Sequence, residues 1–176
     1  MLRLGVWLLA AAFSLIAGWT DWRSRRIPNW LTVPGLVIGI AYNSVAFGWP
    51  GAKSSLLGAG LGLGLLLPFV VIRSFGAGDW KLIGALGAIL GPSHLLIVLL
   101  GTILVNGILA VAMIIQKKRV RRTLRNIGIL VSSLASFHMP GPELSIDHAE
   151  ALNVPFGVAV AVTVVALAGS MAWRTL

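Results

Sequence analysis

The chain has no cysteine among its 176 residues, and only five acidic side chains. The first absence excludes disulfides, iron–sulfur clusters and cysteine-ligated zinc, and it says nothing about compartment. Charged residues make up 11%, against roughly 25% in an ordinary soluble domain. Internal repeats and low-complexity linkers are also lacking. So are the alternating strands of about ten residues that a membrane barrel needs. What fills the sequence instead is apolar: 57% hydrophobic residues and 21 glycines, with a mean hydropathy of +0.93. A globule of this length has too little interior to hide so much apolar surface, and a disordered chain has the opposite composition. The composition therefore predicts an all-α, polytopic membrane protein.

Apolar runs at about 4–20, 31–47, 54–72, 78–91, 94–115 and 154–173 predict about six transmembrane helices in a single domain over 1–176. Most reach the ~17–25 residues that a span requires. The fourth is short unless its helix starts within Gly76-Ala77-Gly78-Asp79, which puts Asp79 at a helix end. Net charge is +9. The positives concentrate in three loops: Arg23, Arg25 and Arg26; Arg73 and Lys81; and the run from Lys117 to Arg125. Only Arg3, Lys53 and Arg174 fall on the other side. This asymmetry predicts an N-terminus outside and basic loops in the cytoplasm. It accounts for the charge without nucleic acid, since no basic face survives outside those loops. The first run is too weakly flanked by positive charge on its N-terminal side for a secretory leader, and it reads as an uncleaved helix. Residues 116–153 form the only sizeable polar stretch. Within it, the basic run suits lipid headgroups, and 127–137 suits either an interfacial segment or one packed on the bundle.

The five acids divide unequally. Glu143, Asp147 and Glu150 lie in the polar stretch and read as solvated loop charge. Asp21 and Asp79 each sit where an apolar helix meets a cytoplasmic loop, on the same predicted membrane face. Ionisable groups at such depth are expensive and usually functional. A facing carboxylate pair tends to share one proton, because like charges a few ångströms apart resist joint ionisation. One member then takes a proton from water while the other polarises a peptide carbonyl. The same two acids could equally hold an ion or relay protons, or serve as helix-end charges paired with the nearby arginines and Lys81.

The local sequence is more specific. Gly76-Ala77-Gly78-Asp79-Trp80-Lys81 reads Gly-x-Gly-Asp-x-Lys, and Asp21 stands six residues before Ile27-Pro28-Asn29. A phosphate-binding loop is excluded, since neither the preceding strand nor the rest of that pattern is present. Together the two motifs resemble those of the type IV prepilin peptidases, the GxGD aspartic proteases of the membrane. Asn153-Val154-Pro155-Phe156-Gly157 is a fainter echo of the family's last helix start. The resemblance implies catalysis by Asp21 and Asp79, with no cofactor and no metal. It implies prepilin substrates carrying a short positive leader and a small residue, usually glycine, before the cut. The location implied is the inner membrane. The longer members carry paired Cys-x-x-Cys zinc ligands and N-methylate their product. With no cysteine here, the resemblance is to the short peptidases of tight-adherence (Flp-type) pili, and no methyl transfer is expected. Archaeal preflagellin peptidases share the Gly-x-Gly-Asp. The alternative function is a small transporter or channel subunit using the same two Asp. Oligomeric state is not set by the sequence.

Supporting residues around the pair are Gly76, Gly78, Lys81, Pro28 and Asn29. The glycines ease a close backbone approach, and Pro28 suits a helix's first turn. Lys81 either biases Asp79 or anchors to headgroups, and Asn29 either hydrogen-bonds near the site or, most simply, caps a helix. The glycines at 58, 60, 62 and 64 are expected to form helix-packing surface. The seven tryptophans fit an interfacial belt. His94, His138 and His148 are too scattered for a metal site.

Overall fold

The computed structural model describes residues 2–72, 76–116 and 155–173. Among these the chain forms four helices and no strand: α1 (Leu2–Ser24), α2 (Asn29–Val71), α3 (Ala77–Gln116) and α4 (Phe156–Trp173). All four are long and apolar enough to cross a membrane. Residues 1–105 with 155–176 form one compact unit and 106–154 a second, of which only the end of α3 is described. The basic run, the segment 127–137 and the three loop acids lie outside the described residues.

The expected count of about six separate helices is corrected to four. The reason lies in α2 and α3, each of which is broken at one glycine without an intervening loop. Gly48 (φ 64°, ψ −149°) and Gly91 (φ 74°, ψ 173°) leave the helical region for backbone that only glycine adopts readily. Pro50 and Pro92 follow, where a restarting helix needs no N–H. The two halves of α2 fold back on each other. Ser55 Oγ lies 3.4 Å from Gly39 O, whereas sixteen residues of straight helix would separate them by about 24 Å. α3 also reverses, since Ile83 and Leu95 both lie against Gly62.

The first half of α3 is the centre of its unit. Leu82 to Leu90 are buried in unbroken succession, the signature of a helix enclosed on every side. α1 packs against α4 along Ala10, Ser14, Ala17 and Asp21, spaced four, three and four apart on one buried face. α4 answers with Gly157, Val160, Ala161 and Val164. Large apolar residues such as Leu8, Ile16, Val37, Leu57, Leu100 and Ile103 face outward, as a lipid environment allows.

The glycine run 58–64 is only half packing surface. Gly58 crosses Gly87 backbone against backbone, and a Cβ at Gly62 would stand 2.9 Å from Ile83 O, but a Cβ at Gly60 or Gly64 would meet nothing within 4 Å. Residues two apart point to opposite sides of a helix, so a period of two cannot serve one interface. We therefore expect Gly60→Ala and Gly64→Ala each to stabilise the protein by about 0.5–1 kcal/mol through helix propensity alone. Thermal unfolding in detergent reads this directly, and a loss of stability would reveal a hidden contact there.

The tryptophan belt is likewise partial. Trp19, Trp22, Trp30, Trp49 and Trp173 are exposed near helix or half-helix ends. Trp7 is buried and meets the His94 ring edge-on at 5.4 Å, and Trp80 turns inward.

Candidate active site

α1 ends one turn past Asp21. Arg25 adopts a left-handed conformation (φ 53°), and its backbone N–H donates to Asp21 O at 2.8 Å, a helix stop of the αL kind. The Asp21 side chain is buried. Its Oδ2 accepts a 2.8 Å hydrogen bond from the Gly157 backbone N–H, 136 residues away. That N–H belongs to the first turn of α4, where it has no partner within its own helix. The positive end of the α4 dipole thus faces the Asp21 carboxyl. The Arg25 guanidinium also lies within Coulombic reach of Asp21.

Asp79 occupies the first turn of α3, which opens with Trp80 N–H donating to Gly76 O at 3.1 Å. A Cβ at Gly76 would stand 2.9 Å from Asp79 Oδ2. A side chain there would displace the carboxyl. Asp79 is half-buried and within Coulombic reach of Asp21. The chain therefore brings together two acids that are 58 positions apart in sequence.

The two motifs interlock around them. Gly78 packs on the connection between α1 and α2, where a Cβ would lie 3.3 Å from Ile27 O. Lys81 Nζ donates to Asn29 Oδ1 at 2.9 Å, tying the start of α3 to the start of α2. Pro28 takes the N-cap position of α2 in extended conformation (φ −77°, ψ 148°) with no side-chain cap bond. Asn29 is the first residue of that helix, so the expected Asn29 cap is corrected: its oxygen serves Lys81 instead. Lys81 accordingly has a protein partner rather than only lipid headgroups.

Sequence reasoning missed two anchors. One is Gly157, which the sequence offered only as part of the last helix's opening motif and whose contribution is a backbone N–H. The other is Trp80, whose Nε1–H donates to Leu63 O at 2.7 Å and pins the start of α3 to the second half of α2. No group of three or more metal-ligating side chains occurs among the described residues.

Residues 8–111, more than half the chain, match the type IV leader peptidase family. The chain belongs to the type IV leader peptidase family. Neither the curated proteins nor the solved structures yield a match. The matched span contains Asp21, Ile27-Pro28-Asn29, Asp79 and Lys81 but stops well short of Gly157. Membership makes the protein a peptidase of the leader-peptidase kind, with prepilin-like substrates in general, and its apolar helices make it multi-pass.

Proposed function

We propose that the protein is an aspartic endopeptidase that removes the short positive leader from type IV prepilins of the Flp kind. The observation that carries this is that Asp21 and Asp79, at the ends of two apolar helices, lie within Coulombic reach of each other. In the proposal, both face the cytoplasm across the inner membrane, and the N-terminus is outside.

The chemistry follows from two carboxyls holding one proton between them. The ionised carboxyl takes a proton from water as the water oxygen bonds to the scissile carbonyl carbon. The protonated one hydrogen-bonds to the carbonyl oxygen as negative charge develops there. The tetrahedral adduct collapses with cleavage of the C–N bond. The leaving nitrogen takes a proton from the pair, giving a free acid on the leader and a free amine on the pilin. No cofactor takes part in this scheme.

The test is cleavage of a short Flp-type prepilin by the purified protein in lipid. The expected product is cut once, after the small residue (glycine in most leaders) that ends the leader, as read by mass spectrometry. If no prepilin is cut, and liposomes holding the protein instead pass protons or small ions, the same two acids serve a transporter and the proposal falls.

A further inference from the structure

We propose that Gly157, at the start of α4 and outside the span that matches the family, is a positioning residue for Asp21. The inference rests on the proteolytic role proposed for Asp21 and Asp79 and adds a third chain segment to the site. Three observations converge on it. The Gly157 N–H donates to Asp21 Oδ2 at 2.8 Å in a buried setting. A Cβ at 157 would stand 2.9 Å from Asp21 Cβ, 3.1 Å from Asp21 Oδ2 and 3.2 Å from Ala17 O. Real Cβ atoms do not tolerate the first of these, and Ala17 O is backbone that cannot swing aside. Pro155 accepts from Ala159 N–H through its carbonyl at 3.4 Å, so the helix already turns at this point and Gly157 N–H is left pointing at α1.

The physical consequence is directional. One carboxyl oxygen of Asp21 is committed to α4, which restricts rotation about the Cβ–Cγ bond and fixes where the other oxygen points. A carboxyl that is to act on water beside Asp79 needs that fixation, because a misplacement of about 1 Å costs a reaction roughly 100-fold. Glycine at 157 does two things: it supplies the donor, and it leaves the space into which the Asp21 side chain fits. Any larger residue keeps the N–H but pushes the carboxyl off it.

The test compares Gly157→Ala with Gly101→Ala. The second variant disturbs the same helix from another side, since a Cβ at 101 would meet the Thr163 methyl at 2.6 Å, away from Asp21. Prepilin cleavage is measured for both, with kcat and KM separated. Gly157→Ala is expected to lower kcat roughly 10- to 100-fold with KM little changed, while Gly101→Ala lowers melting temperature and leaves kcat near that of the intact protein. Parallel losses in the two variants would reduce Gly157 to helix packing and overturn the proposal.

A second readout does not depend on activity. Labelling phenylalanine carbonyls with 13C and glycine with 15N selects only Gly48, Gly76 and Gly157, since no other glycine follows a phenylalanine. In Asp21→Ala the Gly157 amide proton is expected to move upfield as its carboxyl acceptor is lost, while Gly48 stays in place. An unmoved Gly157 signal would remove the contact and the proposal with it. If the intact protein cuts no prepilin but the Gly157 signal moves, the proteolytic reading fails and the positioning contact stands.

Discussion

Asp21→Asn and Asp79→Asn are each expected to lower prepilin cleavage by at least about 1,000-fold, which is about 4 kcal/mol of transition-state stabilisation. Asparagine keeps the volume of aspartate and one oxygen acceptor, but it neither takes a proton from water nor lends one to a leaving amine. The fold should survive both changes. In Asp21→Asn the amide oxygen still accepts from Gly157 N–H, so the loss is limited to the attraction of Arg25 and the charge–dipole attraction at the α4 start, the latter about 0.3–1 kcal/mol. Asp79 sits in the first turn of α3 with its carboxyl over Gly76, where an amide fits the same space. The double variant should be no slower than either single one, because groups acting as one catalytic unit are not additive. Cleavage rates by gel or mass spectrometry, with melting curves alongside, decide the matter. Substantial cleavage by either variant would remove that acid from the mechanism. Rates that fall in proportion to lost folded protein would make both acids structural.

The chain's class could be read from composition, and its family from two short motifs. The physical reason is that both depend on local facts. Apolar runs of spanning length leave a helix as the one structure that satisfies the backbone in lipid. A carboxylate at the end of such a run carries its significance with it, whatever it faces. The expectation that Asp21 faces Asp79 rested on helix ends predicted to share a membrane face, and the two acids lie within Coulombic reach. The less legible features are those whose partner is made elsewhere in the chain. Nothing near Gly157 tells that Asp21 occupies the space its missing side chain leaves. Asn29 looks like a cap until Lys81 arrives from α3. The helix count depended on whether Gly48 and Gly91 begin loops or single-residue reversals, and the apolar pattern is the same for both. The even-numbered glycines from 58 to 64 invited one interface, but the helical period divides them between a protein face and an open one.

The largest stability effect is expected at Asn43 and Ser55, two polar residues within α2 that only the reversal at Gly91 explains. Pro92 has no N–H, so the carbonyl of Ala88 loses its helical donor. Ser55 Oγ supplies one at 2.6 Å and Asn43 Nδ2 another at 3.1 Å. Asn43 Nδ2 also reaches Ile89 O at 2.9 Å and Gly39 O at 3.1 Å, sharing two N–H groups among three carbonyls. The two halves of α2 are thereby fastened to the end of the central helix at the point where its own ladder stops. Asn43→Leu and Ser55→Ala alone should each cost only about 0.6–1.7 kcal/mol, the range for hydrogen bonds between membrane helices. In either single variant, Ala88 O keeps one donor. The double variant leaves that buried carbonyl with neither, which adds the desolvation penalty of an unpaired polar group, about 1–3 kcal/mol. A total near 3 kcal/mol is expected, with the double exceeding the sum of the singles by at least about 1 kcal/mol, a coupling within the range for residues sharing one partner. Unfolding in mixed micelles with increasing denaturing detergent gives all four corners of the cycle. Strict additivity would mean that the two side chains do not substitute for one another at Ala88 O, and that another group satisfies the carbonyl that Pro92 orphans.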